Sequence, residues 1–591
     1  MDRINGFACS VDYSGNGFCF NLKHDGFSVN NYEDDDVLVC VQTSLKCRDE
    51  AETLASAYRQ SKQEYCPARG TSGSFIIIDK KKHLIYAGRD RNQASHLYIL
   101  KKDNALMLST DMHFFFDYCK VVDAVALNFA IMKGIVLAPF PILKGLKVLL
   151  PGKYVKVLSI DKNEEKTFWK IEKTDIPQDY NEAVRQYGQL LMDSIKNNVS
   201  NDCAAVYLSG GSDSAAVMGA LDKLGVGHVY ATHMAIKGNF EFEREDVGLL
   251  HKKYKFNLEL IKPEYENVQK WKEYVDKALL QGSINSIYTS FPTYQLMGRH
   301  LSDIVSKGTT VFNGEMCLLD QGFNESGDNT RALRRWLFVK NGRRLAYGLK
   351  IVPDFVNVDW DKHRRPYFIR KNWGDKLFVL DCATRSILHA VGRPSEYFAG
   401  LKLGYSGLPG YFLGLSLLPK GYQSDAIQRC NQFFGDFFEG FRSNDWKTYM
   451  AMLSTCWYSE SSNFTMPNDT ASMGGLAMCF PFSSVELMDF AASVPTEWAI
   501  DKKIQKDACK IMFDMPDQVA YRMKNHKQKF SYGDVVYGAF KDEMIKTILE
   551  TNFGPLNENI NKLIAHKPTA SIVFNMYGYA LWIRRYNLIV E

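Results

Sequence analysis

Val206-Tyr207-Leu208-Ser209-Gly210-Gly211-Ser212-Asp213-Ser214-Ala215-Ala216-Val217 decides the fold. An apolar, strand-like run reaches Ser-Gly-Gly, and helix-forming residues follow at once. Two adjacent glycines let the backbone turn sharply and present N–H groups with no side chain in the way. Ser209 and Ser214 add hydroxyls, and a helix opening here adds the positive end of its dipole. Leu208, Ser209, Gly210, Gly211, Asp213 and Ser214 therefore form a pyrophosphate cradle, with Asp213 able to offer a carboxylate oxygen to magnesium. It is not a Walker A loop, because the Gly-Lys-Ser/Thr ending is missing.

Outward from the loop, strand and helix alternate. Strands are expected at 203–208, 228–234 and 257–261, with helices at 213–223 and 243–254. That alternation predicts βαβ units on a parallel sheet. Tyr180 to Asn198 has the spacing of an amphipathic helix. Upstream, residues 1 to about 170 read as β-rich, with apolar runs at 37–41, 74–78 and 83–87 and helical spacing at 49–60 and 121–133. The polar stretch Ile160-Asp161-Lys162-Asn163-Glu164-Glu165, with Ile176-Pro177-Gln178-Asp179 after it, reads as a linker. Beyond 325 the sequence is mostly helical in character, without repeats or low-complexity tracts.

Composition sets the outer bounds. The 591 residues are 46% hydrophobic and 24% charged, ordinary globular usage that excludes wholesale disorder. A net charge of +5 over this length is too mild to call for nucleic acid or an anionic membrane as partner. Thirteen cysteines without a CxxC pair offer neither a disulfide framework nor a zinc site, which suits a reducing cytoplasm. No secretory h-region opens the sequence, and no stretch approaches the length of a bilayer-spanning helix.

Ser-Gly-Gly-x-Asp-Ser after a strand resembles the pyrophosphate loop of the N-type ATP pyrophosphatases, and the rest of the chain resembles their asparagine synthetase group. Gly73-Ser74-Phe75, Arg89-Asp90-Arg91, His96-Leu97-Tyr98, Leu108-Ser109-Thr110-Asp111, Leu150-Pro151-Gly152 and Phe168-Trp169 follow the order of motifs in that group's first domain. The resemblance implies a glutaminase-like (Ntn-hydrolase-like) α+β sandwich over 1–172. It implies an α/β PP-loop synthetase domain over 180–591, carrying a basic segment at 331–371. It also implies ATP and Mg2+ as cofactors.

Glutamine-using members expose a cysteine as the mature first residue. Here position 2 is Asp2, and the nearest cysteine, Cys9, lies inside a strand-like run. A carboxylate is no substitute for a thiolate nucleophile. The same loss is seen in β-lactam synthetases and lasso-peptide cyclases, whose amine belongs to the substrate. Phe312-Asn313-Gly314-Glu315-Met316-Cys317-Leu318-Leu319-Asp320 stands at the family's second phosphate loop. Gly314 and Glu315 match it. Leu318 replaces the acidic metal ligand, and either Asp320 takes over that role or the ligand is lost. Tyr521-Arg522-Met523-Lys524 resembles the Arg-x-Lys segment of the catalytic lysine, while a Lys-x-x-Phe register selects Lys527 instead. Ala477 stands where the family often has a glutamate, so no base for the amine is identified.

These features predict an ATP-dependent carbon–nitrogen ligase. A substrate carboxylate is adenylated, pyrophosphate leaves, and an amine displaces AMP. The expected partner is a small molecule or peptide bearing a carboxylate and an amine, with macrolactam, isopeptide or natural-product amide formation in view. An ammonia-using asparagine synthase, amidation of a sugar acid, and a non-catalytic binding relative are the alternatives. The arginines of 331–371, among them Arg334, Arg335, Arg343 and Arg344, can clamp an acidic substrate or serve as a solvated face.

Overall fold

The computed structural model describes residues 6–12, 18–25, 29–43, 49–61, 64–91, 96–134, 136–138, 140–236, 241–321, 462–499, 502–522, 532–565 and 568–591. It also describes residues 417–419, 421–422, 425–426, 429, 448, 451–452 and 455–456. Two antiparallel sheets come first. One has the order β10-β7-β8-β1-β2, from β1 (Gly6–Asp12), β2 (Cys19–Asp25), β7 (Tyr98–Lys102), β8 (Ala105–Ser109) and β10 (Lys147–Val148). The other has the order β12-β11-β6-β5-β4-β3, from β3 (Val29–Glu33), β4 (Val37–Gln42), β5 (Ser74–Asp79), β6 (Leu84–Arg89), β11 (Lys153–Val157) and β12 (Asn163–Thr167).

Strand periodicity explains how these sheets pack. Alternate residues leave opposite faces of a strand. Ile76 and Ile78 of β5 therefore meet Phe7, Cys9, Val11, Leu106 and Leu108 of the facing sheet. Phe75 and Ile77 turn the other way, onto Leu54, Ala55 and Tyr58 of α1 (Glu50–Gln60). The middle strands of the six-stranded sheet are covered on both faces, so they read as continuous apolar runs. The expected linker at 160–165 is corrected here: Asn163–Thr167 is edge strand β12, paired with β11. Its charges had argued for a loop, but an edge strand tolerates charge. Glu165 is held between Lys147 and Lys153 at 2.6 and 2.7 Å. The connection without strand or helix runs instead through 168–179.

The third sheet is parallel throughout, in the order β15-β14-β13-β16-β17. Its strands are β13 (Cys203–Tyr207), β14 (His228–Met234), β15 (Asn257–Ile261), β16 (Thr310–Phe312) and β17 (Ala477–Cys479). The predicted alternation is observed, with α2 (Ala124–Lys133) and α3 (Tyr180–Lys196) ahead of it. Then come α4 (Ser212–Lys223), α5 (Glu241–Lys253), α6 (Val268–Gln281) and α7 (Phe291–Ile304). Ala204 and Val206 pack with α3 and α4, whereas Ala205 and Tyr207 face Met297 and Leu301 of α7. Both faces of β13 are thus buried, as in other sheets covered by helices on each side.

The sandwich and the parallel-sheet region touch through specific polar bonds. Arg69 donates to Asp489 at 2.8 Å, Arg91 to the Ser483 carbonyl at 2.7 Å, and Asn285 to the Tyr98 hydroxyl at 2.8 Å. Gln42, His96, Asp111, His113, Ser283 and Asp469 help line a cavity of about 1010 Å3 between them. Among the described residues no helix is long and apolar enough to cross a membrane.

Cys9 is fully buried in the sandwich, and loss of hydration pushes its thiol up to about 12. A thiol of that kind carries almost no thiolate at neutral pH. Iodoacetamide is therefore expected to leave Cys9 unlabelled in the native protein and to label it only after denaturation, read by peptide mass spectrometry. Rapid labelling of the native chain at Cys9 contradicts the packing described.

Candidate active site

The chain leaves β13 for β14 and β15 on one side, then returns to β16 and β17 on the other. The crevice at the C-terminal ends of β13 and β16 is consequently a topological switch point, where α/β sheets bind ligands. Leu208 extends the sheet by donating its N–H to the Thr232 carbonyl at 2.9 Å. Its own carbonyl accepts from Nδ1 of His233 at 2.9 Å, so that tautomer is fixed. Burial holds the His233 pKa below its ordinary value, which keeps the ring neutral.

The glycine loop closes through its two serines. The Ser209 N–H donates to Ser214 Oγ at 3.1 Å, the two hydroxyls lie 2.9 Å apart, and Ser214 Oγ donates to the Ser209 carbonyl at 2.8 Å. Gly211 is the N-cap of α4 and supplies no side-chain capping bond. The first-turn N–H groups of that helix consequently face the loop uncapped by it, the arrangement that receives a phosphate.

Close approach explains the glycines. A Cβ at Gly210 would stand 2.7 Å from Cα of Glu243 and from Arg522 Nη1. A Cβ at Gly314 would stand 2.7 Å from the Ser214 nitrogen. Gly314 thus brings the 313–317 turn directly onto the first turn of α4. Asn313 shapes that turn by accepting the Glu315 N–H at 2.9 Å, and Met316 follows at a left-handed φ of 71°.

Asp213 is where the charges meet. Lys502 Nζ lies 2.7 and 2.6 Å from its two carboxylate oxygens, and Gln505 Nε2 donates to Oδ1 at 2.7 Å. Gln505 lies in the first turn of α10 (Lys503–Phe513), which follows α8 (Ser462–Met473) and α9 (Val485–Ser493). Its Oε1 accepts from Tyr187 at 3.1 Å and from Cys317 Sγ at 2.9 Å, which orients the amide with nitrogen toward Asp213. Lys502 itself is 7% exposed at the side chain and sits at φ 57°, a conformation few non-glycine residues adopt. On the opposite side of the loop, Arg522 donates to the Gly210 carbonyl at 2.6 Å and pairs with Asp246 at 2.7 Å. Burial raises the Asp246 pKa against the opposing pull of Arg522.

Of the residues expected from sequence, Leu208, Ser209, Gly210, Gly211, Asp213, Ser214 and Gly314 come together here, and Glu315 is exposed on the adjoining turn. Leu318 is buried in the core, 7% exposed. Asp320 lies in a short 3-10 turn, Leu318–Gln321, with its side chain outside the described residues. Lys524, Lys527, Asp2 and segment 331–371 also lie outside them. Ala477 is buried in β17. Sequence reasoning missed Lys502 and Gln505, whose order Lys-Lys-Ile-Gln looks like any exposed helix start.

No family model matches the chain. It is 25% identical over 264 residues to a Methanocaldococcus jannaschii protein named putative asparagine synthetase (glutamine-hydrolyzing) 2, covering 42% of this chain and 50% of that one. It is also 25% identical over 151 residues to amidase chyE of Penicillium rubens, covering 25% of this chain and 22% of that one. The chain thus spans half the length or less of these curated relatives, and its likeness to an asparagine synthetase is distant. A glutamine phosphoribosylpyrophosphate amidotransferase from B. subtilis, solved with ADP and GMP, covers 44% of this chain at 10% identity. Its TM-score of 0.18 carries no fold assignment.

The glycine contacts grade themselves. Gly314→Ala, which meets backbone nitrogen at 2.7 Å, is expected to lower the melting temperature clearly. Gly211→Ala meets only the Ser209 hydroxyl at 3.1 Å and should lower it little. Differential scanning fluorimetry of both variants checks the order, and the reverse order contradicts this geometry.

Proposed function

We propose that the protein is an ATP-dependent amide-forming ligase working through an acyl-adenylate. The observation that carries this reading is the Ser209–Ser214 loop at the switch point, opening α4 and touched by Gly314. The N-terminus of α4, opened by Gly211 without a side-chain cap, is an arrangement that receives phosphate, and Asp213 beside it can offer a hard oxygen to magnesium. Remaining metal ligands would come from phosphate oxygens and water, since no group of three or more metal-binding side chains gathers among the described residues. Magnesium when bound neutralises the phosphates. The distant likeness to a synthetase supports the same reaction class.

In this reading a substrate carboxylate attacks the α-phosphorus and the bond to pyrophosphate breaks. An amine then attacks the acyl carbon, and AMP departs in place of the far poorer leaving group hydroxide. The helix N-terminus and the glycine N–H groups hold the departing pyrophosphate, and Arg522 fixes the loop from behind. Lys524 is two residues from Arg522, a span of at most about 7 Å of backbone. Arg522 at the loop is the observation that supports assigning the lysine cation to Lys524. The sandwich serves without glutaminase chemistry, consistent with a Cys9 thiol sealed in its core. Leu318, buried where an acidic ligand was expected, favours a non-catalytic relative as the second reading.

Pyrophosphate release from ATP, measured with a panel of amino acid, peptide and sugar-acid carboxylates, decides between them. Asp213→Asn is expected to abolish ATP–pyrophosphate exchange in a folded protein, because a neutral amide is a poor ligand for magnesium. Exchange at the wild-type rate overturns the assignment. Lys524→Ala should lower turnover by roughly 10²–10³ with little change in substrate binding, the scale of losing one partner of the transition-state charge. Lys527→Ala should cost modestly. If Lys527→Ala is instead inactive and Lys524→Ala nearly normal, the Lys-x-x-Phe register is the correct one.

A further inference from the structure

The Asp213 carboxylate already has a cation. Lys502 reaches both of its oxygens, at 2.6 and 2.7 Å, from a side chain that is 7% exposed. Gln505 fills a further acceptor position on Oδ1. A carboxylate so engaged cannot also bind magnesium with those lone pairs. Meanwhile Lys502 is held in a left-handed backbone conformation at the start of α10, with no side-chain cap there to favour it. Such strain persists only where surrounding contacts over-determine it, and it collects at sites with a task.

We propose that Lys502 is a placeholder for the metal: its ammonium neutralises Asp213 while the loop is empty and gives the carboxylate up when a metal-bound triphosphate arrives. This rests on the reading of the loop as a nucleotide site. An ammonium released from its carboxylate can pair with another anion. The incoming phosphates are that anion, so Lys502 passes from Asp213 to phosphate oxygens without being exposed to solvent. Two consequences follow. The empty protein has low affinity for a bare divalent cation, because Lys502 competes for the same oxygens. A cation arriving with its triphosphate meets no such barrier, because the exchange conserves charge pairing on both sides. Gln505, anchored by Tyr187 and Cys317, keeps Asp213 in place through the exchange and ties it to the 313–317 turn. The arrangement selects metal–nucleotide over metal alone.

Manganese stands in for magnesium in the test, with free Mn2+ counted by electron paramagnetic resonance and no nucleotide present. Lys502→Met is expected to bind bare Mn2+ at least about tenfold more tightly than wild type, the scale of removing one charged hydrogen-bond partner. The double variant Lys502→Met/Asp213→Asn should lose that gain. Lys502→Met should also bind Mn2+·ATP about tenfold more weakly than wild type, having lost a phosphate partner. Loss of the gain in the double variant separates a local role from exposure of carboxylates elsewhere in the chain. Unchanged Mn2+ affinity in Lys502→Met, or a gain that persists in the double variant, overturns the placeholder. Failure of wild type to bind Mn2+·ATP at all overturns the nucleotide reading instead.

Discussion

The ion pair between Lys502 and Asp213 is the constraint around which the site is arranged. One partner stands on the first turn behind the glycine loop, and the other stands at the start of a helix almost three hundred residues later. Joining them fixes α10 against α4. Gln505 extends the junction to α3 through Tyr187 and to the turn after β16 through Cys317. Four separate segments are thereby held to one carboxylate. Removing that carboxylate takes from a buried ammonium the partner that meets it through both oxygens, which costs more than losing an exposed ion pair.

The sheet explains why this junction lies where it does. β13 is the central strand, flanked by β14 and β16, and the crossovers on its two sides leave a crevice at its C-terminal end. Into this crevice come the two glycine turns, with Arg522 and Asp246 closing one flank and His233 buttressing the Leu208 carbonyl. The sandwich contributes no groups to these contacts. It docks through Arg69, Arg91 and Tyr98, and the Cys9 thiol points into its own interior.

The legible parts of the sequence were those where burial and periodicity coincide. The strands at 203–207, 228–234 and 257–261 and the helix from Tyr180 stand within a few residues of their expected bounds; β13 is buried on both faces and the helix on one. Asn163–Thr167 failed because the charges of this edge strand are met by groups that local composition does not show: Glu165 by Lys147 and Lys153, and Lys166 by Glu64. Within the site, glycines announced close contacts that do occur at Gly210 and Gly314. Lys502 was invisible for the opposite reason: a lysine is read as solvated unless its partner is known, and its partner is 289 positions away. Of the Arg-x-Lys segment, Arg522 is described, and it donates to the Gly210 carbonyl.

The central claim is that this loop serves transfer of adenylate to a carboxylate rather than transfer of a terminal phosphoryl group. The direct measurement uses carboxylate substrates labelled with 18O, turned over with ATP and magnesium and followed by 31P NMR and mass spectrometry. The account predicts AMP and pyrophosphate as products, with one 18O carried from the carboxylate into the AMP phosphate. ADP and orthophosphate as products, or AMP whose phosphate holds no substrate oxygen, would contradict it.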